Sequence, residues 1–140
     1  MKNRKPVVVR EIMMSAPVTL KPDDTLEFAG NVISLGRIRH LPVVENGQLV
    51  GLLSERDLLG TAASRLFGLK PKSKSALLRS VLVKDVMKKR VVTVSAATPI
   101  KEAAHLMADK KIGCVPVVDD RRLIGLVTTT NILRYVEELG

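Results

Sequence analysis

Two junctions in the sequence place a hydroxyl residue three positions before an acidic or amide residue, each directly after an apolar run. Ser54 precedes Asp57 in this way, and Thr128 precedes Asn131. A helix that begins at such a hydroxyl residue has free N–H groups at its start, and these attract anions such as phosphate. A carboxylate in the first turn can also accept hydrogen bonds from the two vicinal hydroxyls of a ribose. Together these groups would suit a nucleotide.

The same spacing is also that of a capping box, in which two side chains three positions apart satisfy each other's backbone N–H groups. Duplicated helices need caps as much as single helices do, so the spacing leaves both interpretations open. Gly51 and Gly125 precede the two junctions within the apolar runs. A glycine within a strand lets another backbone or a ligand approach closely.

An internal repeat organises the chain around these junctions. When the sequence is shifted by 74 residues, residues 10–59 align with residues 84–133 without a gap, and 12 of the 50 pairs are identical. Most other pairs exchange one aliphatic residue, or one polar residue, for another. A gapless match of this length indicates a duplication.

Each copy predicts the same first two elements. The runs Val18–Leu20 and Val91–Val94 favour short strands. A helix follows in each copy, because apolar residues recur at helical spacing. Asp24 is the expected cap of the first helix, and Thr98 is the expected cap of the second, with Pro99 at its first helical position.

Two further apolar runs in each copy predict a hairpin. Leu41–Val44 and Leu49–Leu53 flank an Asn-Gly pair, which is a hairpin signal, whereas Asp119–Arg122 form a weaker turn in the second copy. With a second helix from Ser54 or Thr128, each copy is predicted as strand–helix–strand–strand–helix. One such unit cannot bury its sheet and its helices well, but two can share a core.

We therefore expect a single α/β (α+β) module over residues 1–140, built from two β-α-β-β-α repeats. The first repeat covers about residues 7–60 and the second about 81–138, with a basic connector at about 61–80. The first part of the connector is expected to continue the second helix of the first repeat.

Composition and charge limit the functions that are open to such a chain. Hydrophobic residues make up 46% of it but aromatic residues only 2%, so the stacking platforms of single-stranded nucleic-acid binders are almost absent. The net charge of +9 is concentrated in residues 60–90, which hold nine basic residues and one acidic residue. Such a run either binds nucleic acid or another polyanion, or keeps the connector soluble.

Several classes of protein are disfavoured by what the sequence lacks. The single cysteine excludes an internal disulfide and a cysteine-only zinc cluster. Paired carboxylates, a metal cluster and an activated nucleophile are all missing, so we expect neither catalytic residues nor a bound metal. No run approaches the roughly 18 apolar residues of a membrane helix, and Val7–Val9 is too short for a signal peptide. We expect a soluble, cytoplasmic protein.

The paired pattern resembles a tandem cystathionine-β-synthase (CBS) domain module, also called a Bateman module. The resemblance rests on Glu11–Met13 with Asp85–Met87, on Arg37–Val44 with Lys111–Val118, and on the two junctions, and it covers almost the whole chain. It implies two CBS repeats packed about a pseudo-two-fold axis. Such pairs bind AMP, ADP, ATP or S-adenosylmethionine in clefts between the repeats, commonly form homodimers, and usually regulate a partner enzyme or channel.

By this resemblance, the first cleft binds its ligand around Asp57. The residues that the resemblance assigns to this cleft are Thr19, Leu20, Arg39, His40, Leu41, Ser54, Arg56 and Asp57. Asp57 would hold the ribose hydroxyls, and Ser54 and Arg56 would contact the sugar or the phosphate. Arg39 and His40 precede a strand, where family members often place groups that reach phosphates. The others would enclose the adenine.

The second cleft is expected to bind its ligand more weakly. The residues assigned to it are Thr93, Val94, Cys114, Val115, Thr128, Thr130 and Asn131. Asn131 departs from the favoured aspartate, and an amide has no charge and only one acceptor oxygen for a ribose. Gly113 and Cys114 stand where the first copy has Arg39 and His40, which makes the two clefts chemically unequal.

The expected function is therefore a non-catalytic regulatory module that senses an adenosine-type ligand and signals by a conformational or dimer rearrangement. The ligand would be an adenine nucleotide or S-adenosylmethionine, with no cofactor required. The expected macromolecular partners are a second copy of the chain and a regulated protein, without a membrane. The alternative function is the binding of nucleic acid or another polyanion through residues 65–90.

Overall fold

The computed structural model describes residues 7–139, and its two units cut across the sequence repeat. Val18–Arg90 form the central unit, and residues 7–17 together with 91–139 form the flanking unit. Residues 83–90, which open the second copy of the repeat, thus belong to the central unit. Both units are mixed α and β structures, as predicted from the sequence.

Ten helices and strands account for most of the described residues. In chain order they are β1 (Met14–Ser15), α1 (Leu26–Gly36), β2 (His40–Glu45), β3 (Gln48–Ser54), α2 (Glu55–Leu66), α3 (Pro71–Ser80), α4 (Ile100–Lys110), β4 (Cys114–Asp119), β5 (Arg122–Thr128) and α5 (Thr129–Glu138). Two short 3-10 helices, Val9–Glu11 and Val83–Asp85, open the two copies of the repeat. In each copy a helix, two strands and a further helix follow in the predicted order, but the predicted first strands do not form.

The two predicted hairpins are confirmed, with the same turn in both. β2 pairs with β3, and β4 pairs with β5, in antiparallel register. Asn46 and Gly47 take φ values of 54° and 81°, and Asp120 and Arg121 take 48° and 73°. A two-residue hairpin turn of type I′ needs positive φ at both central positions. The strand register therefore imposes this conformation on the second turn, although it contains no glycine.

The predicted strands at Val18–Leu20 and Val91–Val94 are wrong as strands of that length. Leu20 alone pairs in parallel with β2, and Val94 alone pairs in parallel with β4. Each of these residues donates one backbone hydrogen bond and accepts another, at 2.9–3.1 Å. The chain then turns at once toward the following helix, which leaves no further residues for the ladder.

The caps of α1 and α4 lie one residue later than predicted. Thr25, not Asp24, caps α1, and its hydroxyl accepts a backbone N–H of the first turn at 3.1 Å. Pro99, not Thr98, is the N-cap residue of α4. Asp24 and Thr98 instead accept the backbone N–H three residues earlier, at 2.7 and 3.1 Å. Their side chains therefore close the turn before the helix rather than the helix itself.

Each unit has an apolar core of aliphatic side chains between its first helix and its hairpin. The central core consists of Leu20, Ala29, Ile33, Leu41, Val43, Leu53 and Val83. The flanking core consists of Val9, Val94, Ala96, Ala103, Met107, Val115, Val117 and Val127. Val83 lies before the second hairpin in sequence but is buried against the first, and Val9 is buried against the second. The segment that opens each copy thus completes the core around the other copy's hairpin.

The basic connector contains a helix of its own. α2 continues into the connector as far as Leu66, as predicted, and α3 begins with Pro71 at its first position. Pro is favoured there because its missing N–H would be unpaired anyway. Leu77 and Leu78 are half-buried, while the other residues of α3 are exposed. No helix within residues 7–139 has both the length and the apolar character needed to span a bilayer.

Candidate functional site

The site around Asp57 is built where β2 begins and β3 ends, at the start of α2. His40, the first residue of β2, lies opposite Ser54, the last residue of β3. The Arg39 carbonyl accepts the Glu55 N–H at 2.8 Å, which ties the residue before β2 to the start of α2. The Ser54 hydroxyl accepts the Asp57 N–H at 3.0 Å and caps the helix. The hairpin and the cap therefore hold these side chains in one place.

Asp57 has a carboxylate oxygen without a partner. Its Oδ2 is buried and accepts no hydrogen bond from any of residues 7–139. A buried polar atom left unpaired costs about 1–3 kcal/mol, and charged groups cost more. The residue as a whole is half-buried. Such an atom is a candidate acceptor for a ligand donor.

Asn131, the equivalent residue of the flanking unit, uses its side chain differently. Its Oδ1 accepts the Thr128 N–H at 2.8 Å, and the Thr128 hydroxyl donates to the same oxygen at 3.1 Å. The Asn131 N–H donates back to the Thr128 hydroxyl at 3.4 Å, which completes a capping box. The amide oxygen is therefore already occupied, whereas only one half of the box forms at Asp57.

Three charged residues act on His40 in the central unit. Burial lowers the pKa of His40 from its usual value, and the positive charges of Arg39 and Lys88 lower it further. The negative charge of Asp57 acts in the opposite direction. His40 is therefore predominantly neutral at pH 7, and the charges of two exposed cations and one carboxylate act on it.

Acidification is expected to destabilise the protein through His40. Because its pKa in the folded protein lies below the ordinary 6.5, the unfolded chain takes up this proton first as the pH falls below 6.5. Stability is then lost until the pH passes the lower folded pKa. His40→Gln should remove this part of the loss, whereas His105→Gln, at an exposed position of α4, should not. Urea unfolding followed by circular dichroism between about pH 7.5 and 5 measures the effect. Parallel pH profiles for the wild type and His40→Gln would contradict the assignment.

Lys88 is one of these two cations but was not among the predicted site residues. It forms an antiparallel bridge with Leu52 of β3, in which the two backbone hydrogen bonds measure 2.9 and 3.0 Å. In the sequence, Lys88 stands out only as one member of the basic run. The 74-residue shift pairs it with Met14, which lies opposite Leu126 of β5. Because Met14 carries no charge, the repeat gives no signal for Lys88, and only the fold brings it to the junction.

Close packing explains the glycines within β3 and β5. A Cβ at Gly51 would overlap the side chain of Met87 and lie 3.0 Å from the Lys88 carbonyl oxygen. A Cβ at Gly125 would overlap the side chain of Met13 and lie 3.0 Å from a backbone oxygen. The sequence predicted that either a backbone segment or a ligand approaches each glycine. The structure shows a backbone segment close to both.

The predicted site residues divide into three groups by exposure. The exposed members are Thr19, Arg39, Arg56, Thr93 and Thr130. The buried members are Leu20, Leu41, Val94, Cys114 and Val115. The half-buried members are His40, Ser54, Asp57, Thr128 and Asn131. The side chains of the buried group belong to the cores, so a ligand would meet mainly their backbone. The half-buried group lies at the two junctions, where β2 meets β3 and β4 meets β5.

Cys114 takes the place of His40 in the flanking unit. It lies opposite Thr128, as His40 lies opposite Ser54. The thiol is only 4% exposed, and burial raises its pKa to about 12. The thiol therefore stays protonated at neutral pH, which makes it a poor nucleophile. In the part of the chain that the structure describes, no three metal-ligating side chains converge.

A groove of about 560 Å³ lies in the flanking unit between α4 and the segment that precedes it. Thr93 and Val94 line one side of it, and Glu102 and His105 of α4 line the other. The other predicted residues of the flanking site do not line this groove. The structure therefore places Thr93 and Val94 beside a hollow that is distinct from the junction at Asn131.

Sequence comparison relates the chain to known proteins over nearly its full length. The model of the CBS domain family matches residues 9–64 and 83–138. A CBS domain-containing protein of Dictyostelium discoideum is 35% identical over 129 residues, which cover 91% of this chain and 89% of that protein. A homoserine O-acetyltransferase of Methanohalobium evestigatum is 36% identical over 132 residues, but they cover only 24% of that protein. The chain thus spans about a quarter of the length of several curated relatives that it matches.

Solved structures share the fold. The CBS domain pair of protein MJ0100, in complex with 5′-methylthioadenosine and S-adenosyl-L-methionine, has a TM-score of 0.79 at 27% identity. This similarity covers 93% of the present chain and 99% of that chain. CBSX2 in complex with AMP has a TM-score of 0.80 at 26% identity, over 94% of the present chain and 97% of that chain.

Proposed function

Because the chain belongs to the CBS domain family, we propose that it is a non-catalytic regulatory module that binds an adenosine-type ligand. Two similar structures carry AMP, 5′-methylthioadenosine or S-adenosyl-L-methionine, which supports a ligand built on adenosine. The ligand acts as a signal and not as a cofactor. A cytoplasmic location stays a prediction.

The observation that carries this proposal is the unpaired carboxylate oxygen of Asp57. A ribose offers two neighbouring hydroxyl donors, and a carboxylate can accept both. Ser54 already caps the start of α2 through its own hydroxyl, so the carboxylate is not needed for the cap. The buried acceptor costs free energy in the absence of a ligand. A ligand that donates to this carboxylate recovers that cost.

Signalling follows if the ligand favours one arrangement of the protein over another. A ligand shifts a conformational equilibrium only by the difference between its affinities for the two states. The homologous segment makes up about a quarter of relatives named as enzymes. A segment that is joined to unrelated activities is better suited to regulating them than to performing them.

A second copy of the chain is the proposed partner in assembly. Leu59 of α2 and Leu133 of α5 occupy equivalent positions of the repeat and are 60% and 62% exposed. Val136 and Leu139, near the end of the chain, are also more than half exposed. Apolar side chains grouped on helix surfaces mark interaction sites, which supports a homodimer that covers these helices.

Calorimetric titration of the purified protein with ATP, AMP and S-adenosylmethionine tests the proposed function. We expect saturable heat with at least one ligand, and a rise in the melting temperature at saturating concentration, because a ligand that binds only the folded state stabilises it. Inosine at the same concentration is the control for the adenine. Neither heat nor a melting shift with any of the three ligands would refute the proposal.

The polyanion alternative is favoured by one observation, the exposed cations of α3. Lys72, Lys74 and Arg79 are exposed on this helix, which has no acidic residue in its first turn. Binding of nucleic acid through these residues would weaken steeply with salt. It would also be lost on neutralising Lys70, Lys72 and Lys74 together. Absence of any gel shift with RNA or DNA at low salt would exclude this function.

A further inference from the structure

The two junction sites differ in their side chains at three equivalent positions, two of which carry a positive charge in the central unit. The central unit has Arg39, His40 and Lys88, whereas the same positions of the flanking unit hold Gly113, Cys114 and Met14. The equivalence is structural as well as sequential. Lys88 bridges Leu52 of β3, and Met14 pairs with Leu126, which is the counterpart of Leu52 in β5.

The cations of the central unit are close enough to act on the junction. Lys88 bridges Leu52 of β3, two residues before Ser54, and Arg39 directly precedes His40, which lies opposite Ser54. The charges of both residues also lower the pKa of His40. Arg39 adjoins the start of α2 through its carbonyl, which accepts the Glu55 N–H at 2.8 Å. Two exposed cations beside a helix start form an environment that favours a multiply charged phosphate.

The flanking unit offers no such charge at the equivalent positions. Cys114 is a buried, protonated thiol, Gly113 has no side chain, and Met14 carries an uncharged thioether. A phosphate group placed against these residues would lose its hydration without gaining a cation. The amide oxygen of Asn131 is moreover engaged by Thr128. This environment suits a neutral nucleoside better than a nucleotide.

On the basis of the proposed function, we infer that one site of this chain selects an anionic ligand and the other an uncharged one. The central site takes an adenine nucleotide with a polyphosphate, and Lys88 and Arg39 bind its phosphates. The flanking site takes an adenosine derivative without phosphate. One chain thus binds two different adenosine compounds. Lys88 and Met14 determine which of the two sites accepts a phosphate.

Reciprocal substitutions at the two positions test this inference. In calorimetric titrations, ATP should bind the wild type with one site per chain, and Lys88→Met should weaken ATP binding by about 10- to 100-fold, the size of a lost charge-assisted contact. Adenosine binding should change less than about twofold in this variant. Met14→Lys should add a second ATP site. Both side chains are exposed, and circular dichroism checks that each variant is folded.

Lys89→Met is the matched control, because it removes the same charge one residue later. Lys89 is exposed and is not among the groups that act on His40, so ATP affinity should stay within about twofold of the wild type. If ATP and adenosine bind the wild type and Lys88→Met and Met14→Lys leave both unchanged, the inference is wrong while the proposed function stands. If the wild type binds neither compound but does bind AMP or S-adenosylmethionine, the inference fails while the proposed function stands; if it binds none of these ligands, both fail.

Discussion

Gly51→Ala is expected to lower the free energy of unfolding by about 2–3 kcal/mol, because the added methyl group has no space. It would overlap the Met87 side chain and lie 3.0 Å from the Lys88 carbonyl oxygen. Met87 can rotate, but Lys88 is held to β3 by a pair of backbone hydrogen bonds. Urea unfolding followed by circular dichroism is the suitable measurement, since the chain contains no tryptophan.

Gly60→Ala provides the control for this substitution. Gly60 lies within α2, and a Cβ there would meet no atom within 4 Å. Because glycine weakens a helix interior, this variant should gain about 0.5–1 kcal/mol in free energy of unfolding. Equal stabilities for Gly51→Ala and the wild type would show that the Lys88 segment moves away from β3 at little cost. The position of Lys88 would then not be set by this packing.

Asp57→Asn is expected to weaken ligand binding and at the same time to stabilise the protein. The amide keeps the shape of the side chain but removes a negative charge that has an unpaired, buried oxygen. It can also close the capping box with Ser54, as Asn131 does with Thr128. We expect adenosine-ligand affinity to fall by about 10- to 100-fold and the free energy of unfolding to rise by about 1 kcal/mol.

Calorimetry and urea unfolding on the same preparation measure the two effects together. Asp109→Asn, an exposed carboxylate on α4, controls for the change in net charge and should alter neither quantity. A loss of ligand affinity together with a gain in the free energy of unfolding distinguishes a binding residue from a structural one. A destabilised Asp57→Asn variant with unchanged ligand affinity would assign Asp57 to the cap alone and remove the main support for the site.

Much of the fold was predictable because its signals are local. The duplication, both hairpins and the caps at Ser54 and Thr128 follow from spacing and turn chemistry within a few residues. The wrong predictions were also local. Asp24 and Thr98 are good capping residues, but each closes the turn one residue before the true cap. The exact cap position depends on where the chain turns away from the bridge at Leu20 or Val94, which the local sequence does not specify.

The sequence by itself determined that the chain contains two similar units, each with a hydroxyl-capped helix at the end of a hairpin. Only the tertiary structure decided that Asn131 completes its capping box while Asp57 keeps an unpaired oxygen. It also brought Lys88, 31 residues after Asp57, into a bridge with Leu52 near the same junction. The physical reason is that hydrophobic spacing and turn propensity act over a few residues. Hydrogen-bond partners and neighbouring charges, in contrast, depend on which distant segment the fold brings to the junction.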